Sequence, residues 1–292
     1  IYQYSACKGE AVPITPINTP GVAMERCLIL VCGLLTLYCT TGVGLCETSV
    51  DPPQGFHAMA QSAPVDLALQ LVVVVADDWD NSRATLHRFE RIDPSGQWTQ
   101  VGEPVPCRAG AQGLAWGKGQ HFSNPGWGPL KGENDGRAPA GAFAIPRAFG
   151  HVSARAAASR GSDLPYTALG DHTVCISDPN SAFYNEVLDT TRLPPTDFEQ
   201  HLAETMSNED PRYAWGAMVD HNRFPPNVTR DACVFIRVDG GAGDEAGNDT
   251  VMSGEAAEDL ALWLDGHQNP MLVQLPKIEY ELLAQAWNLP NL

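Results

Sequence analysis

The chain has 292 residues with 43% hydrophobic content, enough for one substantial core, and a formal net charge of −17. The acidic charge argues against nucleic acid or anionic lipid as a partner, because both polyanions would be repelled. No Cys-x-x-Cys pair or histidine cluster has zinc-ligand spacing, so neither a structural metal nor another cofactor is expected.

The N-terminal segment is expected to lie outside the folded domain. Residues 1–23 show no periodicity and are interpreted as unstructured upstream sequence, with Met24 as the more natural start. A short charged lead and the uncharged run Cys27–Leu45 predict a signal peptide at residues 24–46. An uncleaved membrane anchor is the alternative, because about 18 apolar residues can just span a bilayer.

A polar, proline-bearing linker is predicted at residues 47–64, and a single domain at residues 65–292. Export would place this domain in the periplasm or cell envelope, where thiols oxidise. Its three cysteines, Cys107, Cys175 and Cys233, could therefore include one disulfide and one odd thiol.

The domain is predicted to begin with an antiparallel meander. Leu67–Val75 is a β-branched apolar run, and Ala84–Ile92 alternates apolar and polar residues. A turn at Asp93–Gly96 leads to a third strand, Trp98–Val101. The meander itself contains no pattern that indicates chemistry.

A charged turn follows in Pro129–Phe143, where an Asp-Gly pair and a Pro-x-Gly spacing predict a tight turn into a strand. Its charged side chains are Lys131, Glu133, Asp135 and Arg137. They could line a substrate groove, or they could be a solvated turn whose charges pair with one another. The sequence favours neither interpretation.

Residues Gly150–Asp171 are interpreted as a long loop, either a lid or variable surface. The strand Thr173–Ser177 comes next. A capping box formed by Thr196 and Glu199 then predicts a helix from Asp197 to about Met206.

Two apolar strands, Trp215–Val219 and Ala232–Val238, lead into a glycine-rich loop and a helix predicted at Gly254–Leu264. Many enzymes assemble a reactive group where strand ends meet such a loop and a helix N-terminus. The chain is predicted to close with the strand Met271–Leu275 and an amphipathic helix, Ile278–Trp287.

Several segments, in order, resemble the catalytic domain of the L,D-transpeptidases, cysteine-dependent enzymes that remodel bacterial peptidoglycan. Cys233–Arg237 (CVFIR) resembles the family strand C-[IV]-F-L-H, and Ala246–Ser253 (AGNDTVMS) resembles the loop T-A-G-C-T-A-M-S. Lys131–Phe143 is similar to K-x-E-G-D-G-R-T-P-x-G-x-F, and Asp178–Asn185 to D-P-x-S-x-Y-Y-N. The similarity covers roughly Leu67–Pro276. It implies a mainly β fold with a few helices, a β-rich α+β class built as a β-sandwich.

The resemblance places unsuited side chains at both catalytic positions. Asp249 stands where active members carry the nucleophilic cysteine, and Arg237 where they carry the histidine. Acyl transfer from the stem peptide needs a thiolate and a base. Asp249 is a weak nucleophile, and Arg237 stays protonated at physiological pH. Their opposite charges suggest a structural ion pair, which requires a separation within about 4 Å.

The resemblance therefore implies an exported, peptidoglycan-associated protein that is catalytically degenerate and binds stem peptides or cell-wall partners. The alternative is an active L,D-transpeptidase or peptidase that uses a noncanonical residue, and a scaffold that binds no ligand is a third possibility. Cysteines at the positions of Cys175 and Cys233 are common in the branch it resembles, which implies a disulfide between them. No stable membrane partner is expected apart from the possible N-terminal anchor. The candidate substrate-binding residues are Lys131, Glu133, Asp135, Arg137, His221, Asn222 and Gly247.

Overall fold

The structure is a computed structural model that describes residues 63–121, 126–192, 199, 202–223, 225–227, 229–241, 243 and 245–292. The predicted signal peptide or anchor lies outside these residues, as does most of the linker. None of the helices in the described part is both long and apolar enough to cross a bilayer.

The described residues form two β-sheets and three α-helices. The strands are β1 (Gln70–Ala76), β2 (Arg83–Glu90), β3 (Thr99–Gln100), β4 (Val105–Ala109), β5 (Leu114–Trp116), β6 (Ala138–Ala144), β7 (Ala148–Gly150), β8 (Tyr166–Ala168), β9 (Thr173–Ile176), β10 (Val187–Asp189), β11 (Ala203–Thr205), β12 (Trp215–Met218), β13 (Phe235–Val238), β14 (Thr250–Met252) and β15 (Met271–Pro276). The helices are α1 (Ala154–Ser159), α2 (Gly254–Trp263) and α3 (Lys277–Leu283). This composition confirms the predicted β-rich α+β class.

The large sheet has 12 strands in the order β5-β6-β15-β1-β2-β4-β14-β13-β12-β7-β8, and β3 pairs with β2. Strand β1 is parallel to β15 and antiparallel to β2, which is itself antiparallel to β3, so the predicted meander is confirmed. The small sheet has the order β10-β9-β11. Strand β1 lies inside the large sheet, between β15 and β2. This position explains its apolar composition, because the run QLVVVVA is buried along almost its whole length.

Side chains join distant strands of the large sheet. The Thr250 hydroxyl on β14 donates to Gln274 Oε1 on β15 at 2.6 Å, although three strands separate β14 from β15 in the sheet order. Gln274 Nε2 in turn donates to the Pro139 carbonyl on β6 at 3.0 Å. The sheet therefore curls so that β14 approaches β15 and β6 across its face.

Helix α2 closes the part of the sheet that carries the candidate site. Ser253 caps it by accepting a hydrogen bond from Ala256 N–H, as the sequence predicted. Its buried residues Ala257, Leu260 and Ala261 belong to the same hydrophobic cluster as β12 and β13 side chains. This packing fixes β13 and β14, which carry the two candidate catalytic positions at or next to their ends.

The predicted helix from Asp197 to Met206 is wrong over Ala203–Thr205, which forms β11. Strand β11 pairs antiparallel with β9, and Glu204 lies opposite Cys175. Pairing with β9 satisfies the backbone and buries Met206, which outweighs the local capping signal. Residues 197, 198, 200 and 201 of the predicted helix lie outside the described residues.

Other boundaries also differ from the predictions. The long loop Gly150–Asp171 contains α1 and β8, which pairs parallel with β7. The charged turn does lead into a strand, but β6 runs parallel to β5 rather than forming a hairpin with it. Strand β13 begins at Phe235 instead of Ala232, because Cys233 has a φ of 59° that a strand cannot contain. Helix α3 ends at Leu283, four residues before the predicted end.

Candidate functional site

Arg237 and Asp249, the two candidate catalytic residues of the sequence analysis, form a buried ion pair. Arg237 Nε donates to Asp249 Oδ2 at 2.6 Å, and the two side chains are 4% and 5% exposed. Asp249 Oδ1 also accepts from Phe235 N–H at 2.8 Å, and Arg237 Nη1 donates to the Val238 carbonyl at 2.9 Å. The distance between the two charged groups is well below the 4 Å that the predicted ion pair requires. The hydrogen bonds to the backbone make the pair a fixed part of the β13–β14 framework.

The loop before β14 brings Asp249 to this position. Ala246 and Gly247 have positive φ angles of 58° and 56°, so the chain reverses just before Asp249. Asp249 N–H donates to the Ala246 carbonyl at 2.9 Å and closes the turn. Ala111 N–H donates to the Gly247 carbonyl, also at 2.9 Å, and ties the loop to the segment after β4.

A second carboxyl group, Glu204 on β11, lies in the same charge network. The Tyr213 hydroxyl donates to it through a short hydrogen bond. Burial raises the pKa of Glu204, and the charges of Arg237 and Arg212 oppose that rise. The sequence placed Glu204 in the helix predicted from Asp197 to about Met206 and did not assign it to the site, because its neighbours come together only through the β11–β9 pairing.

Burial also raises the pKa of Asp249 to about 7, with Arg237 opposing the rise and the Glu204 charge adding to it. Two carboxyl groups thus compete for one buried guanidinium. We conclude that this network retains a proton up to near neutral pH.

Two cavities meet at this network. Cavity A has a volume of about 600 Å³, and its lining includes Glu133, Ser177, Tyr184, Glu204, Arg230 and Asn248. Cavity B has a volume of about 740 Å³, and its lining includes Glu204, Arg212, Arg237, Gly243, Asn248 and Asp249. Glu204, Gly247 and Asn248 line both, so the candidate Gly247 lies at the boundary between the two cavities.

The charged side chains of Pro129–Phe143 fit both interpretations that the sequence left open: some pair within the fold, and one lines a cavity. Lys131 is fully buried and pairs with Asp135 at 2.5 Å and with Asp231 through a shorter contact. Arg137 donates to Asp80 Oδ1 at 2.6 Å and to backbone carbonyls. Lys131, Asp135 and Arg137 are thus paired within the fold, while Glu133 is exposed and lines cavity A.

His221 and Asn222 do not line either cavity. His221 is buried, and its Nδ1 accepts from Lys118 N–H at 3.2 Å; burial lowers its pKa well below the usual value, which keeps it neutral. Asn222 Nδ2 donates to the carbonyls of Asn227, Arg230 and Asp231 at 2.9, 3.0 and 3.2 Å. Asn222 therefore acts on the site indirectly, by holding the segment that carries Arg230 and Asp231.

Cys175 and Cys233 form a disulfide that joins the small sheet to the start of β13. Cys233 also lines cavity A, next to Ala232. Cys107 is buried, and its burial raises the pKa of its thiol to about 12, which makes it a poor nucleophile. Among the described residues, none of these three sulfurs is available as a thiolate.

Sequence reasoning missed three further cavity residues, Tyr184, Arg230 and Asp231. Tyr184 lay inside a recognised motif, but nothing in the motif indicated that its hydroxyl would donate to the Arg230 carbonyl at 3.0 Å. The segment before Cys233 gave no signal except its charges.

No protein-family model, curated protein or solved structure matches the chain. The similarity to the L,D-transpeptidases therefore rests on the ordered motifs and stays a prediction.

Proposed function

We propose that the protein is a catalytically degenerate relative of the L,D-transpeptidases that is exported to the cell envelope and binds peptidoglycan stem peptides there. The observation that carries the proposal is the buried Arg237–Asp249 ion pair beside two cavities. The resemblance implies that these are the positions of the catalytic base and nucleophile.

The pair does not support acyl transfer. Both Asp249 oxygens are engaged, one by Arg237 and one by Phe235 N–H, so neither is poised for attack. An acyl-aspartate would also be an anhydride, which water destroys quickly. Arg237 cannot accept a proton at physiological pH, so it cannot replace the histidine of active members as the general base.

The cavities support retained binding. A volume of about 600 Å³ in cavity A lies within the range of about 300–1,000 Å³ that small-ligand sites occupy. Its lining mixes charged, amide, hydroxyl and aliphatic groups, including Ser177, Leu202 and Asn248. A short peptide with backbone amides and charged termini matches such a lining.

The rival function is acyl transfer by a noncanonical nucleophile. Against it, Cys175 and Cys233 are joined and Cys107 is buried with a raised pKa. Burial also lowers the pKa of His121 to about 4 and holds His221 neutral, and neither histidine lines cavity A or B. The described residues thus offer no thiol–imidazole pair at either cavity.

The binding proposal is tested by calorimetric titration with the synthetic tetrapeptide L-Ala–γ-D-Glu–L-Lys–D-Ala. We expect saturable 1:1 binding to the wild-type protein. The variant Asn248→Trp places a large side chain where the two cavities meet, so its affinity should fall by about tenfold or more.

Asn291→Trp is the matched control, because Asn291 is exposed and lines neither cavity. It should bind as the wild type does. The absence of saturable binding to the wild type would overturn the proposal, as would equal affinities for the wild type and Asn248→Trp.

A further inference from the structure

Cavity A has an asymmetric charge distribution. Among its lining residues, Glu133, Glu204 and Asp231 are acidic, and Arg230 is the one basic side chain. Asp231 is already paired with buried Lys131, and Glu204 lies in the network of Arg237. Glu133 and Arg230 are therefore the two charged groups of the lining that remain for a ligand.

The backbone holds these two residues on neighbouring loops. Asn134 N–H donates to Asp231 Oδ1 at 2.7 Å, which ties the loop of Glu133 to the residue that follows Arg230. Asn222 holds the same segment by donating hydrogen bonds to the Arg230 and Asp231 carbonyls. The relative position of the two charges is thus set by the fold before any ligand arrives.

Both side chains keep hydrogen-bonding capacity. Arg230 Nη1 donates to the Trp116 carbonyl at 3.2 Å, which occupies one of the five N–H groups of the guanidinium. Glu133 is exposed at the cavity mouth. Tyr184 lines the same cavity as Glu133, and its hydroxyl donates to the Arg230 carbonyl at 3.0 Å, so an aromatic ring belongs to the same lining.

We infer that cavity A recognises a ligand carrying both an ammonium and a carboxylate group, with Glu133 binding the ammonium and Arg230 the carboxylate. The inference rests on the proposed function and specifies its ligand as a zwitterionic peptide with a free side-chain amine. A guanidinium binds a carboxylate through paired hydrogen bonds, and an exposed carboxylate beside an aromatic ring suits an ammonium group.

The test uses the tetrapeptide L-Ala–γ-D-Glu–L-Lys–D-Ala and its Nε-acetyl-lysine form, which has the same length but lacks the lysine ammonium. Calorimetry should show that acetylation weakens binding to the wild type by about tenfold. Glu133→Gln should lose this difference, whereas Glu103→Gln, an exposed glutamate outside cavity A, should keep it.

The carboxylate is tested in the same way. Amidation of the peptide C-terminus should weaken binding to the wild type by about tenfold, and Arg230→Met should bind the acid and the amide equally. Arg155→Met is the control, because Arg155 is exposed and remote from the cavity lining. Equal affinity of the wild type for the parent peptide, its Nε-acetylated form and its C-terminal amide would overturn the inference while leaving stem-peptide binding intact.

A second probe separates the two proposals. Amide chemical shifts of Asn134 and Asn248 are recorded with Nα-acetyl-lysine, which carries an ammonium and a carboxylate, and with Nα,Nε-diacetyl-lysine. Shifts with the first compound alone, in a protein that binds no tetrapeptide, would support the zwitterion site and refute the proposed function. An absence of response to both compounds and to both peptides would refute both proposals.

Discussion

Replacing Arg237 by methionine should destabilise the protein in a strongly pH-dependent way. Methionine keeps most of the aliphatic volume but removes the charge, so Asp249 and Glu204 lose the guanidinium between them. Breaking a buried ion pair typically costs about 3–5 kcal/mol, because the remaining charge is left without a partner. Both side chains of this pair are about 5% exposed or less, so we expect a loss in that range at pH 8.

The sign of the pH dependence follows from the raised pKa. Asp249 has a pKa of about 7 in the fold and about 4 when unfolded, so the wild-type stability falls as the pH rises from about 4 to about 7. Without Arg237, the pKa of Asp249 rises further, so the fall in stability continues to higher pH and its total size increases. At pH 4.5 the carboxyl group is protonated in the fold, and the loss in Arg237→Met should shrink to about 1 kcal/mol.

Urea unfolding of Arg237→Met and wild type at pH 4.5 and pH 8 measures both losses. Arg155→Met, an exposed arginine, should change little at either pH. The double variant Arg237→Met/Asp249→Leu should recover part of the loss at pH 8, because it also removes the unpaired carboxylate. A loss below about 1 kcal/mol at pH 8, or an equal loss at both pH values, would refute the reasoning.

Three further predictions concern the framework of the site. Replacing both Cys175 and Cys233 by alanine opens a loop with a sequence separation of 58, which should lower the free energy of unfolding by about 4 kcal/mol; a loss below about 1 kcal/mol in urea unfolding would contradict this. Asn222→Ala should cost about 2 kcal/mol and speed hydrogen exchange at residues 229–231, because it removes three donated hydrogen bonds; unchanged exchange there would count against the clamp. Asp249→Cys combined with Arg237→His should gain a covalent adduct with a carbapenem, which the resemblance implies acylates active members; a folded double variant that gains no adduct would argue against the assigned positions.

The sequence was informative where local chemistry and tertiary structure agree. The apolar run of β1, the alternating sequence of β2 and the serine cap of α2 are local signals, and the structure contains both strands and the cap. The opposite charges of Arg237 and Asp249 suggested a pair, and they form one. Such an ion pair can be predicted without exact knowledge of the backbone, because two buried residues of opposite charge have few other partners.

The predictions failed where long-range pairing overrides local preference. Ala203–Thr205 lies in a segment with a helix capping signal, yet β9 pairs with it as a strand and brings Glu204 to the site. The left-handed conformation of Cys233 likewise cannot be read from residue type, because cysteine has no preference for positive φ.

Intact-protein mass spectrometry tests most directly whether the protein binds stem peptides without forming an acyl-enzyme. The wild-type protein is incubated with the tetrapeptide or with a carbapenem, then denatured and weighed. We predict the unmodified mass in both cases, because hydrogen bonds hold both oxygens of Asp249 and Arg237 cannot act as a base. A covalent acyl adduct on the wild-type chain would contradict the account and identify the protein as an enzyme.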